Sequence, residues 1–346
     1  MDRERFQPVV ITLHPGQGDY WEQSIEKLGI PLYKVPRYKN RLWRLHKIIR
    51  ILRQPQTDLI HGWHTFASPY AGMSAKVLGA KSLGGIRSSI QALDQSWETH
   101  LTRLLCDAIV SNSLTTAQAY RAKLRRKKQG VYTVQNAINT SFANRDTARN
   151  YLINAFNLPM DAIWVASIGR MYPLKRFDLL IHLAEKIKST TTKVHFVLIG
   201  DGPEKPAMES QSQDLGLQDL VTFTGEVPLV SRWMKGFDIF CFPSTDEGMP
   251  NVIMEAAAAG LPILAWRYPF IEELLVNGEM ALLVQPGDLE GMGKALRTLI
   301  HNPQLRQQLG GAAQSHVNNN FSVERYIQEM TAIYDSLLSS KSDLNT

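Results

Sequence analysis

Two carboxylates with seven residues between them stand out in Ser244-Thr245-Asp246-Glu247-Gly248-Met249-Pro250-Asn251-Val252-Ile253-Met254-Glu255. The stretch follows an apolar run, Ile239–Phe242, and opens a helical pattern closed by Gly260 and Pro262. Pro250 suits the first helical turn, where a missing N–H is no loss, and Gly then Pro past the last turn ends a helix. The free N–H groups of a helix start, with its positive dipole end, form an anion site. Glu247 then sits in the loop and Glu255 about one and a half turns into the helix. Carboxylates on either side of an anion site make chemical sense if each has hydroxyls to bind. A diphosphate flanked by two polyols, a ribose and a sugar, meets that need. Taken alone, the stretch fits equally a solvent-facing Glu247 and a Glu255 paired with a nearby base.

A second constellation, Gly169-Arg170-Met171-Tyr172-Pro173-Leu174-Lys175-Arg176, ends the apolar run Ile163–Gly169 and precedes another helix. Arg as a fork and Lys as a point charge suit a diphosphate. They would also stabilise charge developing on a departing diphosphate. Surface Arg and Lys are common, so the weight lies in the two constellations together.

Elements must bring these loops to one place. Short β-rich runs alternate with helical patterns along the whole chain, which predicts parallel sheets with crossover helices. In the first half the expected strands are Val9–Leu13, Leu32–Val35, Asp58–Gly62, Ser82–Ile86, Ala108–Ser111 and Val131–Val134. Helical stretches Tyr20–Leu28, Asn40–Gln54, Tyr70–Leu78, Trp97–Cys106 and Thr115–Arg125 lie between them. A polar stretch, Asn139 to Arg149, reads as the separator. Strands Ile163–Gly169, His195–Ile199, Val221–Phe223, Ile239–Phe242 and Pro262–Ala265 then alternate with further helices. The expected fold class is α/β, two doubly wound domains, with chemistry in the strand-to-helix loops beyond the carboxyl ends of the strands.

The composition, 44% hydrophobic and 20% charged over 346 residues, is that of a globular chain. No run approaches the roughly 20 apolar residues that cross a bilayer, and the first residues lack the apolar core of a signal peptide. Cys106 and Cys241 stand in different halves among apolar residues and read as buried thiols. A cytoplasmic protein is expected. The net charge of +6 conceals an asymmetry: residues 1–150 carry 23 Lys and Arg against 10 Asp and Glu, a net of +13. Lys39 to Arg53 reads as a basic helix with Leu42, Leu45, Ile48, Ile49 and Leu52 on one face, and Arg121 to Lys128 is a second basic cluster. The helix suits an anionic membrane surface and equally a surface helix packed on a sheet. No aromatic–basic interleaving points to nucleic acid.

In the second half, Gly169-Arg170, Lys175-Arg176, Gly200-Asp201-Gly202-Pro203, Val221-Thr222-Phe223-Thr224-Gly225 and Asp238-Ile239-Phe240-Cys241-Phe242-Pro243-Ser244 recur in one order with the paired glutamates. Ala258-Ala259-Gly260-Leu261-Pro262 and Leu282-Leu283-Val284-Gln285-Pro286-Gly287-Asp288 complete the set. It resembles the C-terminal domain of glycosyltransferase family four, of the GT-B fold, two facing Rossmann-like domains. The resemblance implies a retaining transfer of sugar from a UDP- or GDP-linked donor to a cell-surface glycan or glycolipid, with no obligatory cofactor or metal. It implies that Arg170 and Lys175 hold the diphosphate, with Gly169 beside them. Glu247 would contact the sugar hydroxyls, helped by the backbone of Gly248 to Asn251, in which Gly248, Met249 and Asn251 carry N–H groups and Pro250 shapes the turn. Glu255 would bind the ribose, Val227 would lie near the base, and Glu273 would hold its family position in the loop Pro269–Glu273. Peripheral attachment to the inner face of the membrane, in polysaccharide or lipopolysaccharide synthesis, fits the basic first half.

The first half matches more loosely, through Asp58–His64, Ser111-Asn112-Ser113 and Asn136–Asn139. Many members carry a histidine where this chain has Arg87, which would place a cation there suited to phosphate or an acidic acceptor. His61, His64 and Asn136 are further acceptor-side candidates. Val9–Leu13 and the text after it resemble the family's second strand unit, so the first strand-helix unit is expected to be missing. In the other reading Val9–Leu13 is the first strand and Pro15–Gly18 a shortened glycine loop. Expected domains are 1–142 and 150–322, with a helix near 323–340 packing back on the first. Two other functions are consistent with the residues: a homologue that binds nucleotide sugar without turnover, and a nucleotide-sugar epimerase.

Overall fold

A computed structural model describes residues 2–13, 20–36, 40–87, 96–123, 129–139, 141–188 and 193–342. The shortened glycine loop proposed at 15–18 and most of the second basic cluster lie outside these residues. The chain divides into two compact units, residues 1–135 with 326–346, and residues 136–325.

In the first unit, β1 (Val10–Thr12) pairs in parallel with β2 (Leu32–Lys34) across α1 (Tyr20–Lys27). After α2 (Arg41–Arg53), a second parallel ladder runs in chain order: β3 (Leu59–Gly62), β4 (Lys81–Ile86), β5 (Ala108–Ser111) and β6 (Gly130–Thr133). Its crossovers are α3 (Ser68–Leu78), α4 (Trp97–Leu105) and α5 (Leu114–Ala122). The side chains of Asn40, Ser96 and Ser113 cap α2, α4 and α5 by accepting from first-turn N–H groups. The strands thus form two separate ladders, β1-β2 and β3-β4-β5-β6. Among the described residues no strand joins β1 to β3, although Ile11, Leu13 and Ile60 share one apolar cluster with Ile48 and Leu52. The helix α2 turns Arg44, Ile48 and Leu52 inward, and Leu42, expected on that face, points outward.

The second unit has six parallel strands ordered β12-β11-β10-β7-β8-β9. They are β7 (Ile163–Ile168), β8 (Val194–Ile199), β9 (Val221–Gly225), β10 (Ile239–Phe242), β11 (Ile263–Trp266) and β12 (Ala281–Val284). Side chains alternate between two cores, as the period of two in a strand requires. Trp164, Ala166, Val197, Phe240, Phe242, Ile263 and Ala265 enter one. Val165, Phe196, Leu198, Ile239, Cys241, Leu264 and Trp266 enter the other. Both faces are covered by helices, which is why these strands read as continuous apolar runs. Those helices include α6 (Arg145–Phe156), α7 (Phe177–Ile187), α8 (Lys205–Asp214), α9 (Asn251–Ala258) and the single-turn α10 (Pro269–Glu272). α11 (Leu289–His301) and α12 (Pro303–Asn320) complete the set. The stretch expected as a separator is thus partly helical. Asn144 caps α6, and Arg145 and Arg149 pair with Asp238. Asp238 also accepts from the Trp164 N–H at 2.9 Å, and Arg149 lies 3.8 Å over the Trp164 ring.

The last helix, α13 (Val323–Ser342), returns its later residues to the first unit. Met330, Ile333, Tyr334 and Leu337 pack with Leu83, Ala108, Val110 and Val134, the helical spacing of one apolar stripe. Among the described residues no helix is long and apolar enough to cross a membrane.

Candidate active site

The six-stranded order reverses between β7 and β10: the chain moves outward through β8 and β9, then returns beside β7. Such a switch point opens a crevice at the carboxyl ends of the two central strands. The loops there are the two constellations, Gly169–Arg176 after β7 and Pro243–Pro250 after β10.

The first loop is shaped by backbone contact. Gly169 N–H donates to Ile199 O at 3.0 Å and Met171 N–H to Asp201 O at 2.9 Å. At Gly200 (φ +131°) an added Cβ would lie 2.0 Å from Gly169 O, and at Gly202 one would lie 2.5 Å from Met171 O. Gly200-Asp201-Gly202 is therefore the surface on which the Arg170 loop rests, a role the sequence did not disclose. The loop continues as a 3-10 turn, Pro173–Lys175, and Arg176 takes a left-handed conformation (φ +51°) before α7. That turn aims Arg176 at Asp178, with Nε–Oδ1 at 3.0 Å. Of the three cations, Arg176 is thus occupied by its own helix. Arg170 is exposed, its guanidinium 5.3 Å over the Tyr172 ring. Lys175 Nζ forms an ion pair with Glu247 Oε1.

The second loop is tied to the first through one carbonyl. Thr245 N–H donates to Leu174 O at 2.9 Å. The buried Ser244 hydroxyl lies 3.2 Å from the same oxygen and 3.0 Å from Glu247 Oε1. Glu247, with its side chain 17% exposed, is held by a cation and a hydroxyl rather than facing solvent. Gly248, Met249 and Pro250 are buried, and Asn251 is exposed at the first position of α9. Pro250 itself stands at the cap in an extended conformation (ψ 107°), one residue before the turn expected for it. Asn136 Nδ2 donates to Asn251 Oδ1 at 2.6 Å, and its N–H lies 3.2 Å from Met249 Sδ. Asn136 therefore braces the start of α9 in the second unit, whereas His61 and His64 belong to the first.

The half-buried side chain of Glu255 makes no hydrogen bond or ion pair with the described residues, so among them it is not paired with a base. Burial pushes its carboxyl up to about 7. Val227 is 8% exposed and packs in the same core as Met249 and Ile253, so its backbone is what it can offer a ligand. Glu273 caps α10, next to the stacked rings of Tyr268 and Phe270. The unit thus offers a carboxylate tethered to a lysine, a second, half-buried acid at Glu255, an exposed arginine and a helix start. That set can hold a polyanion between groups that accept from hydroxyls.

In the first unit, His61 Nδ1 lies 2.9 Å from the Tyr334 hydroxyl, and its ring stacks on Trp63 at 4.7 Å. Arg87 lies 4.8 Å over the Trp63 ring and donates to the Tyr326 hydroxyl at 3.2 Å. Burial, then the Arg87 charge, lowers His61 to about 3 and lowers His64 also, so both imidazoles are neutral at pH 7. Both cysteines are buried free thiols. Among the described residues no cluster of three His, Cys, Asp or Glu could hold a metal ion.

Residues 149–316 match the family described as Glycosyl transferases group 1, and residues 1–142 match Glycosyltransferase Family 4. The chain is 25% identical over 343 residues to the lipopolysaccharide core biosynthesis glycosyltransferase LpsE of Rhizobium meliloti (strain 1021), covering 98% of this chain and 92% of the relative. It is 26% identical over 293 residues to LpsD of the same organism, covering 85% and 78%. Among solved structures, Anabaena Alr3699/HepE in complex with UDP and glucose superposes with a TM-score of 0.81 at 18% identity, covering 95% of this chain and 92% of that one. Sucrose-phosphate synthase from Thermosynechococcus elongatus gives 0.75 at 20% identity, covering 96% and 99%.

Proposed function

Because the chain belongs to glycosyltransferase family four, with the GT-B fold, we propose that it transfers a sugar from a nucleoside-diphosphate donor, with retention, to a cell-surface glycan or lipid-linked acceptor. The observation that carries this reading is the Lys175–Glu247 pair, held at the mouth of α9 by the shared Leu174 carbonyl. An incoming diphosphate replaces Glu247 as the partner of Lys175. The freed carboxylate then accepts from the donor-sugar hydroxyls, and Ser244 keeps it oriented. Arg170 and the N–H groups of Gly248, Met249 and Asn251 share the phosphate charge. Glu255 accepts from the ribose diol.

In the transfer step the acceptor oxygen bonds to the anomeric carbon on the face from which the diphosphate leaves. The bond from that carbon to the phosphate oxygen breaks, and the departing phosphate takes the acceptor proton. Glu247, tied to a cation and a hydroxyl, orients the donor and does not attack it. Lys175 and Arg170 stabilise the charge that grows on the leaving group. Lipopolysaccharide-core relatives support an acceptor of that class, and UDP complexes among the neighbours make UDP-sugars the first donors to try.

The test is release of UDP or GDP from donor sugars with a lipooligosaccharide-core acceptor panel. Lys175→Ala should lower kcat about 10²- to 10³-fold, the scale of losing one group that stabilises transition-state charge, and Glu247→Ala should weaken use of the sugar. Full activity in both variants would reject this site. Tight UDP binding with no turnover across the panel would reject the transfer.

A further inference from the structure

Asn136 opens the second unit and Arg325 closes it. The two meet, because Arg325 Nη2 donates to Asn136 O at 3.2 Å. Asn136 is 7% exposed and turns its N–H and its amide nitrogen toward the mouth of α9. The N–H lies 3.2 Å from Met249 Sδ, and Nδ2 donates to Asn251 Oδ1 at 2.6 Å. Two backbone bonds thus hold Asn136 in place, and its side chain acts on one atom of a neighbour.

That side-chain bond settles the direction of a second amide. A carboxamide carries an acceptor on one branch and two donors on the other. With Asn251 Oδ1 turned to Asn136, Asn251 Nδ2 is directed elsewhere, and among the described residues it has no partner. Asn251 is exposed at the first position of α9, two residues after Met249 and three after Gly248. A pair formed the other way would present a carbonyl oxygen at this helix start and repel an anion. Formed as it is, the pair presents N–H donors at the positive end of the helix. A side chain reaches beyond the backbone, so this amide can meet an oxygen of a phosphate that the backbone N–H groups already hold.

We propose that Asn251 Nδ2 donates to a phosphate oxygen of the sugar donor, and that Asn136 is the positioning residue that fixes its direction. The inference rests on diphosphate binding at the mouth of α9.

The full chain would be titrated calorimetrically with UDP and GDP. The tighter of the two serves as probe, and its nucleoside is the control without phosphate. Asn251→Ala should weaken the diphosphate about ten-fold or more, the scale of one hydrogen bond to a charged group, and leave the nucleoside unchanged. Asn251→Asp sets a carboxylate oxygen where Nδ2 stands and should weaken the diphosphate further. Asn136→Ala keeps both backbone bonds and removes only the amide. It should weaken the diphosphate about three- to ten-fold in the parent and have no further effect in the Asn251→Ala chain. Each variant should melt within a few degrees of the parent. Unchanged diphosphate affinity in Asn251→Ala, or an equal loss from Asn136→Ala in both backgrounds, would overturn the proposal. Lys175→Ala separates this inference from the site it rests on. Weakening by Lys175→Ala but not by Asn251→Ala overturns the proposal alone. Weakening by neither, or a parent that binds neither diphosphate, overturns diphosphate binding at α9 and the proposal with it.

Discussion

Replacing Glu255 by glutamine tests the donor site through proton linkage. The carboxyl titrates near 4.5 in an unfolded chain and is pushed up to about 7 by burial in the folded one. Between those values the folded state binds more protons than the unfolded state, so stability falls as pH rises through the window. Below about 4.5 both states hold the proton and the group contributes nothing. Above about 7 its full penalty is present. At 1.36 kcal/mol per unit, the difference of about 2.5 units amounts to about 3 kcal/mol. Glutamine keeps the shape and removes the charge. Urea unfolding of parent and Glu255→Gln should therefore differ by under about 1 kcal/mol at pH 5 and by about 3 kcal/mol, in the variant's favour, at pH 8. UDP affinity should move the other way. The parent gains affinity as pH rises through about 7, because the ionised carboxylate accepts from both ribose hydroxyls, and the variant shows no such gain. Parallel stability profiles would refute the account of an unpartnered, desolvated acid. A pH-independent UDP affinity in the parent would refute its role at the ribose.

Two further substitutions probe how the site is supported. Gly200→Ala places a methyl group 2.0 Å from Gly169 O at a left-handed backbone position, and should cost about 2–4 kcal/mol with loss of UDP binding; urea unfolding and calorimetric titration measure both. Asp238→Ala leaves Arg149, 16% exposed, without its carboxylate at the opposite ends of the strands, and should cost about 3–5 kcal/mol while UDP affinity per folded molecule stays unchanged.

The alternation of short apolar runs with helical patterns was enough to announce parallel sheets, because those runs are buried on both faces and carry their period locally. The two loops proposed to bind the donor could be placed along the chain for a related reason. A loop between a strand and a helix needs particular residue types, and Arg170, Lys175 and Glu247 stand in such loops, with Glu255 in the helix that follows the second. Even so, the start of α6 was read as part of the separator Asn139 to Arg149, and β12 only as part of a motif. The first turn of α6 is polar, and it is tied down by Asp238, far along the chain, while Leu152 holds the rest in the core.

Partner choice belonged to the tertiary structure. Lys175 and Glu247 are 72 residues apart, and nothing in their spacing says they meet. Nor does spacing reveal that Arg176 turns to Asp178, that Asn136 braces α9, or that Gly200 must lack a side chain because Gly169 O occupies its place. The same holds for α2, where composition allowed Leu42 to face inward and packing instead chose Arg44. Residue types and local periods are properties of a short stretch and survive in the sequence. Contacts that close over long separations depend on which strands become neighbours, and that is settled only when the sheet assembles.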